Sequence, residues 1–467
     1  MQKYVSLTPT QAKVFAISVV SPAQTRKRVV EEFEPDRRTM KQTTTIDVAI
    51  SRRLLHSPTP ELLYIPAVIA EKGDLHDDLQ MSDEAGEPLQ WLSYREYVSL
   101  VANVLHFLLL SAYKLNKDDE LPEPAKQAEL VALQTVMHRR RDQAEAEDHS
   151  GADTIANLHV KDNTVRDLAS LFVRRLVAKY VVVACVEFPC SRRARFSYSL
   201  RRIPPVRLTL SENNRWSPIG LARLGLGARP VALTIDISNA CTSQSYHLHL
   251  NCPDDLFLAE QEAIGMDDML RRHAEQAPTL PHCRFRRRLG QAHAHFYARY
   301  MPIPIGGREH PMLRFRFFEV PPGSTLRAAV TAFACAAIVW LVGFMTSRYS
   351  IPDTDAPAFL LAYPALAAAW LGFESSSQRL LEGTLSARLC LIFTAVLSIA
   401  SSGLFMAHKT NKTANWPPLP DNQSLLGVTQ LDWAIIVTLA VLNASVIGYK
   451  CAVRTWEYSR LLVKQHS

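Results

Sequence analysis

Four apolar stretches near the C-terminal end, starting at Leu326, Asp355, Leu389 and Asp432, are each about long enough to cross a ~30 Å hydrocarbon layer as a helix of ~20 residues. A segment crossing lipid must satisfy its backbone N–H and C=O groups internally, and a single stretch does so only as a helix. The expected architecture is an α+β soluble region, β-sandwich-like with several helices, followed by a bundle of four transmembrane α-helices. The expected units are an N-terminal α+β region over 1–160, a β-sandwich-like domain over 161–325, spans at 326–346, 355–373, 389–407 and 432–451, and a basic cytoplasmic tail at 452–467. The second span is the weakest, because Pro357 and Pro364 interrupt it and its alanines are only mildly apolar. If it were re-entrant, the tail would change sides.

Composition alone hides this division. Hydrophobic residues make up 48% and the mean hydropathy is −0.03, because a charged front dilutes an apolar tail. With 467 residues the chain is about three times a ~150-residue domain, so more than one structural unit is expected. The formal charge is +7, with basic clusters at Arg139 to Arg141, Arg192 to Arg195 and Arg284 to Arg288. Beside membrane helices such clusters report orientation and a solvated cytoplasmic face. No nucleic-acid fold motif accompanies them, so nucleic acid is not an expected partner.

The flanking charges set an orientation. Arg308, Arg314, Arg316 and Arg327 precede the first span, Arg379 and Arg388 lie between the second and third, and Lys450, Arg454, Arg460 and Lys464 follow the fourth. The alternate loops hold Arg348, Lys409 and Lys412. Ten basic residues against three put both termini in the cytoplasm of a multi-pass plasma-membrane protein. The short apolar run Val14 to Val20 is too brief for a signal-peptide core and is expected to be a first β-strand. Trp416, Trp433, Tyr449 and Trp456 are expected in interfacial belts. The eight cysteines are scattered; reduced thiols are expected, and Cys185 and Cys190 lack the second close pair that a zinc knuckle needs.

In the soluble part, TTTIDVAIS alternates as a half-buried strand should. Ser93 and Glu96 are spaced as a capping box opening a helix to Leu115, which at ~13 strongly apolar residues is short for a span. A charged helix is expected within Asp118 to His149, flanked by the loops LPEP and DHSGAD, and another from Asp162 to Ala178. VVVACVEF then reads as a buried strand, and RFSYSL, VRLTL, PVALTIDIS, SYHLHLNC, HAHFYARY and LRFRFFEV as sandwich strands. PPGS at Pro321 to Ser324 separates the last strand from the first membrane helix.

Chemistry is sparsely marked. His247 with His249, and His293 with His295, are i,i+2 pairs, and a strand puts both members of a pair on one face. Were the strands neighbours, zinc or copper would accept the four imidazoles, though half-buried or surface histidines are the simpler account. The acid pairs Asp77 and Asp78, Asp254 and Asp255, and Asp267 and Asp268 read as solvated loop charge. No catalytic residue is assigned and no cofactor is expected, since the chain has no G-x-S-x-G elbow, phosphate-binding loop or dinucleotide fingerprint.

Several stretches resemble those of uncharacterised multi-pass membrane proteins of actinomycete bacteria: DLQMSDEAGEPLQWLSYRE (Asp78 to Glu96), RRARFSYSL (Arg192 to Leu200), SYHLHLNCPDDL (Ser245 to Leu256), HFYARY (His295 to Tyr300) and LRFRFFEVPPGSTLRAA. The resemblance implies an architecture, a β-rich soluble front and C-terminal membrane helices, and no catalytic residues.

The expected function is that of a non-enzymatic, membrane-anchored interaction, scaffold or sensor protein whose cytoplasmic domain binds a protein or anionic lipid head groups. The alternatives are a metal-dependent hydrolase using the histidine strands, and an oligomeric channel or transporter. Ser398, Ser401, Ser402, Asn443 and Ser445 are the hints of a polar path, and such residues more often mediate helix packing.

Overall fold

The computed structural model describes residues 7–35, 39–51, 54, 61–72, 77–117, 119–138, 150–189, 191–202, 232–266, 270, 281–286, 289–302, 311–349, 354–374, 385–410, 424 and 427–466. Arg139 to Arg141, Cys190, the strand VRLTL, Asp267, Asp268, Arg287, Arg288, Arg308, Arg379, Lys412 and Trp416 lie outside the described residues.

The chain opens with a helix, not a strand. Thr8 caps α1 (Pro9–Val20), accepting from the Gln11 backbone N–H, while the Gln11 side chain accepts from the Thr8 N–H, and Pro9 occupies the first turn. Ala12, Phe15, Ala16 and Val19 then fall on one helical face and are buried. The capping box sets a helix where the short apolar run alone is expected to be a strand. A one-turn helix α2 (Pro22–Thr25) leads into β1 (Arg26–Pro35) and β2 (Met40–Ala49), followed by β3 (Glu61–Glu71) and β4 (Asp77–Asp83).

Four helices come next: α3 (Tyr94–Tyr113), α4 (Glu123–His138), α5 (Ser150–Ala156) and α6 (Asn163–Ala178). The Ser93–Glu96 capping box is present, and Asp162 caps α6. α5 forms where a loop is expected; Gly151, Ala152 and Ile155 are buried in it, and Gly151 has no room for a Cβ beside Ala132. α3 is long and apolar enough to cross a membrane. In this fold Leu100, Val104, Leu105 and Leu108 instead share a core with Phe15, Phe172, Leu176 and Ala128 of the neighbouring helices.

The remaining strands are β5 (Lys179–Phe188), β6 (Arg193–Arg202), β7 (Ala232–Asp236), then the short α7 (Ser238–Cys241), β8 (Ser245–Asn251), β9 (Leu256–Ile264), β10 (His282–Arg286), β11 (His293–Arg299) and β12 (Met312–Glu319). They form a seven-stranded sheet ordered β10-β11-β8-β1-β2-β6-β4, a three-stranded sheet β7-β12-β9 and a pair β3-β5. β1 runs parallel to β8 and antiparallel to β2. The segments 1–160 and 161–325 thus supply strands to one sheet. Val29, Ile46, Phe196, Leu248, Phe296, Leu63, Phe315 and Leu258 of all three sheets bury against one another in a single core, the packing of a sandwich. Asp77 and Asp78 stand on the edge strand β4 and not in a loop; Asp78 lies 3.3 Å from Arg201.

Four apolar helices close the chain: α8 (Gly323–Arg348), α9 (Ala356–Glu374), α10 (Leu385–Thr410) and α11 (Leu431–His466). α8, α10 and α11 are long enough to cross a bilayer, and α9 is shorter. Their packing is inside-out by the standards of a water-soluble core. Ala328, Ala332, Ala368, Ala440 and Ala444 are buried between helices, while Phe359, Leu366, Trp370, Ile399 and Leu442 are exposed. Small residues inside and large apolar ones outside is the arrangement expected in lipid. Trp433 is an exception to the expected belt: it is fully buried, packed beside Gly343, where a Cβ would come within 3.0 Å of its ring. Tyr449 and Trp456 are exposed.

Ser398 and Ser402, one turn apart on α10, bond α9 backbone carbonyls. The Ser398 hydroxyl donates to Leu361 O and accepts from Ala365 N–H at 3.1 Å, entering the helical ladder beside Pro364. Ser402 Oγ donates to Ala358 O at 3.0 Å. Asn443 Nδ2 donates to Thr394 Oγ1 at 3.0 Å, and Ser401 donates to its own Leu397 O. Apart from Ser401, these polar groups hold helices together.

Candidate functional site

The seven-stranded sheet has two faces of different chemistry, generated by one alternation. Along β8, Tyr246, Leu248 and Leu250 are buried, and Ser245, His247, His249 and Asn251 are half-buried on the opposite face. β11 repeats the pattern, with Ala294, Phe296 and Ala298 inward and His295 and Tyr297 outward.

The outer face carries the sequence-predicted histidines. β8 and β11 are antiparallel neighbours in a register that sets His249 opposite His295 and His247 opposite Tyr297. The His249 and His295 rings stack at 4.5 Å, and His247 stacks on His295 at 5.7 Å. His247 Nδ1 and His295 Nε2 are 3.5 Å apart. One ligand atom from each of His247, His249 and His295 lies within 4.8 Å of those of the others. His293, the fourth candidate, is exposed at the start of β11 opposite Asn251 and does not join the group. Burial, then the charge of Arg28 and then His249, push the His247 pKa below its ordinary value, which favours the neutral ring that a metal requires. A carboxylate also stands one strand away: Glu32 of β1 is in register with His249. Spacing along the chain could not locate it.

The inner face holds residues the sequence reading missed. Glu31 of β1 is buried between the sheets and accepts from Gln42 Nε2 and Asn239 Nδ2, both at 2.7 Å, and from the Tyr246 hydroxyl. Burial raises its pKa, an effect that the Tyr246 and Asn239 donors and the charge of Arg202 oppose. Arg26, also buried, donates to Pro66 O at 2.9 Å and Ala67 O at 3.2 Å, beside the bulge in β3. The signal was present in Val29-x-Glu31-x-Phe33, where strand alternation sets a glutamate on the apolar face.

Among the described residues the seven cysteines Cys185, Cys241, Cys252, Cys283, Cys335, Cys390 and Cys451 form no disulfide. Burial raises Cys185 and Cys241, to about 11 and about 12 respectively, so they are poor nucleophiles at neutral pH. Asp254 and Asp255 sit in the turn before β9. The arrangement as a whole offers a three-imidazole cluster on an accessible sheet face, backed by a polar network inside the sandwich. No protein-family model matches the chain, and no curated protein matches it.

Proposed function

We propose that the chain is a non-enzymatic, membrane-anchored scaffold or sensor. In this reading its β-sandwich is held at the cytoplasmic bilayer surface, both termini are cytoplasmic, and the outer sheet face meets a protein partner. The supporting observation is the way the sandwich joins the helices. β12 passes into α8 through Val320, Pro321 and Pro322 alone. The Glu319 carboxylate accepts from Ser324 N–H at 2.6 Å, a negative charge on the N-terminus of α8. Gly323 has φ +39, and a Cβ there would meet that carboxylate.

α11 makes a second attachment. At 36 residues it is ~54 Å long, well beyond a ~30 Å hydrocarbon layer. Its far end returns to the sandwich, where Tyr458 packs on Phe257 at 4.8 Å and Arg454 lies over the Phe318 ring at 5.2 Å. Two connections of this kind fix the sheet at one height and orientation relative to the helices, as a display or sensing surface needs. On the sandwich side of the helices stand Arg314, Arg316, Arg327, Arg388, Lys450 and Arg454, and on the other side Arg348 and Lys409. This asymmetry supports a cytoplasmic sandwich.

The test is labelling of intact cells with a membrane-impermeant maleimide. Cys283 and Cys451 should react only after permeabilisation, whereas Tyr349→Cys, at the exposed far end of α8, should react from outside. Labelling of Cys283 in intact cells would overturn the orientation. Capture of vesicles rich in anionic lipid by the outer face, with no protein partner recovered, would replace the protein partner by lipid.

A further inference from the structure

We propose that the outer face of the seven-stranded sheet is a metal site: His247, His249 and His295 bind one divalent transition-metal ion of the zinc class, leaving a fourth coordination position open. The proposal goes beyond the anchoring role, and its test does not depend on membrane orientation.

Distance is the first argument. Zinc–imidazole bonds of ~2.0–2.1 Å in a tetrahedron set neighbouring ligand atoms about 3.3 Å apart. His247 Nδ1 and His295 Nε2 already stand at 3.5 Å, and the third ring must close from within 4.8 Å. All three side chains are half-buried, so an ion reaches them from solvent.

The scaffold is the second. The ligands come from two hydrogen-bonded interior strands of the sheet, whose inner-face neighbours Tyr246, Leu248 and Phe296 are fully buried. That rigidity fixes the three Cα positions, which a loop would not. Ser245 Oγ lies 3.5 Å from His247 Nε2, the ring nitrogen other than the one that meets His295. An outer partner there favours Nδ1 as the metal-facing atom.

Ligand type and charge are the third. Three neutral nitrogen donors suit zinc, copper or nickel and not calcium or magnesium. The pair of charges an ion brings is partly met by Glu32 in register with His249. Arg28 in register with Ser245, and the exposed Arg284 in register with Tyr297, favour water or a small anion in the fourth position. Three protein ligands and one exchangeable position is the form of a reactive or sensing site; structural zinc sites are closed.

The experiment uses the full chain purified in detergent, stripped with chelator and titrated with zinc ions against a chromophoric competitor. One equivalent is expected. His295→Ala and His249→Ala should each weaken binding tenfold or more, since even outer partners of metal ligands are worth about that, while His293→Ala leaves it unchanged. Cobalt substitution should give tetrahedral absorption bands in the parent and not in His295→Gln, a variant that keeps the side chain's bulk if alanine proves disruptive. Binding below one equivalent, or an equal loss in the His293 and His295 variants, would mean surface chelation and overturn the proposal.

Discussion

β1 and β8 present two unlike surfaces built from alternate residues of the same strands. Inward, Glu31 and Tyr246 form a buried network in which the carboxylate has three polar partners within 2.7 Å or closer. Outward, Glu32, His247 and His249 stand half-buried or exposed beside His295. Buried polar groups with satisfied partners hold a sandwich in one arrangement, and leaving one of them unpaired is costly. The half-buried imidazoles stack on one another on the outer face. The comparison teaches that polarity in a strand is read only together with its exposure: the more deeply buried titratable group here sits in a satisfied network, and the proposed metal site rests on the half-buried ones.

The sharpest way to break this contrast is to remove the inner carboxylate. Glu31→Ala leaves the Gln42, Asn239 and Tyr246 donors without their acceptor, and should lower stability by about 3–5 kcal/mol in urea unfolding of the detergent-solubilised chain. A loss under ~1 kcal/mol would show that the network is dispensable. Tyr246→Phe tests the same network at one bond and should cost about 1–2 kcal/mol. If its effect matched that of Glu31→Ala, the hydroxyl alone would account for the network.

A third test uses pH. Burial raises the Glu31 pKa above its ordinary 4.5, so the folded state holds this proton more tightly than the unfolded one. Its contribution to stability therefore grows as pH falls through the raised value and is complete below the unfolded value. Against Glu31→Gln, which does not titrate, the wild-type chain should gain stability on acidification. The opposite slope would mean that the ionised form is what the donors hold. The smallest effect belongs outside: His293→Ala should change stability by less than about 0.5 kcal/mol, and a larger loss would show that the outer face is packed and not open.

Much of the architecture was legible because it is local. The apolar lengths at 326–346, 389–407 and 432–451 fall within α8, α10 and α11, and Ser93 with Glu96, Asp162, and the Pro-Pro-Gly-Ser junction mark real boundaries. α1 was missed because its capping box precedes an apolar run too short to show a period. β3, β4, β9 and β10 went unread; in Leu256–Ile264, FLAEQEAI alternates only in its second half.

The histidine spacing alone fixed that His247 and His249 share a face, as do His293 and His295, because successive residues of a strand point to opposite sides. It could not fix that β8 lies between β1 and β11, that His249 meets His295 while His293 meets Asn251, or that Glu32 stands beside them. Those facts depend on strand pairing across more than forty intervening residues. That pairing is chosen by which inner faces fill one core, a property of the whole sandwich and of no single segment.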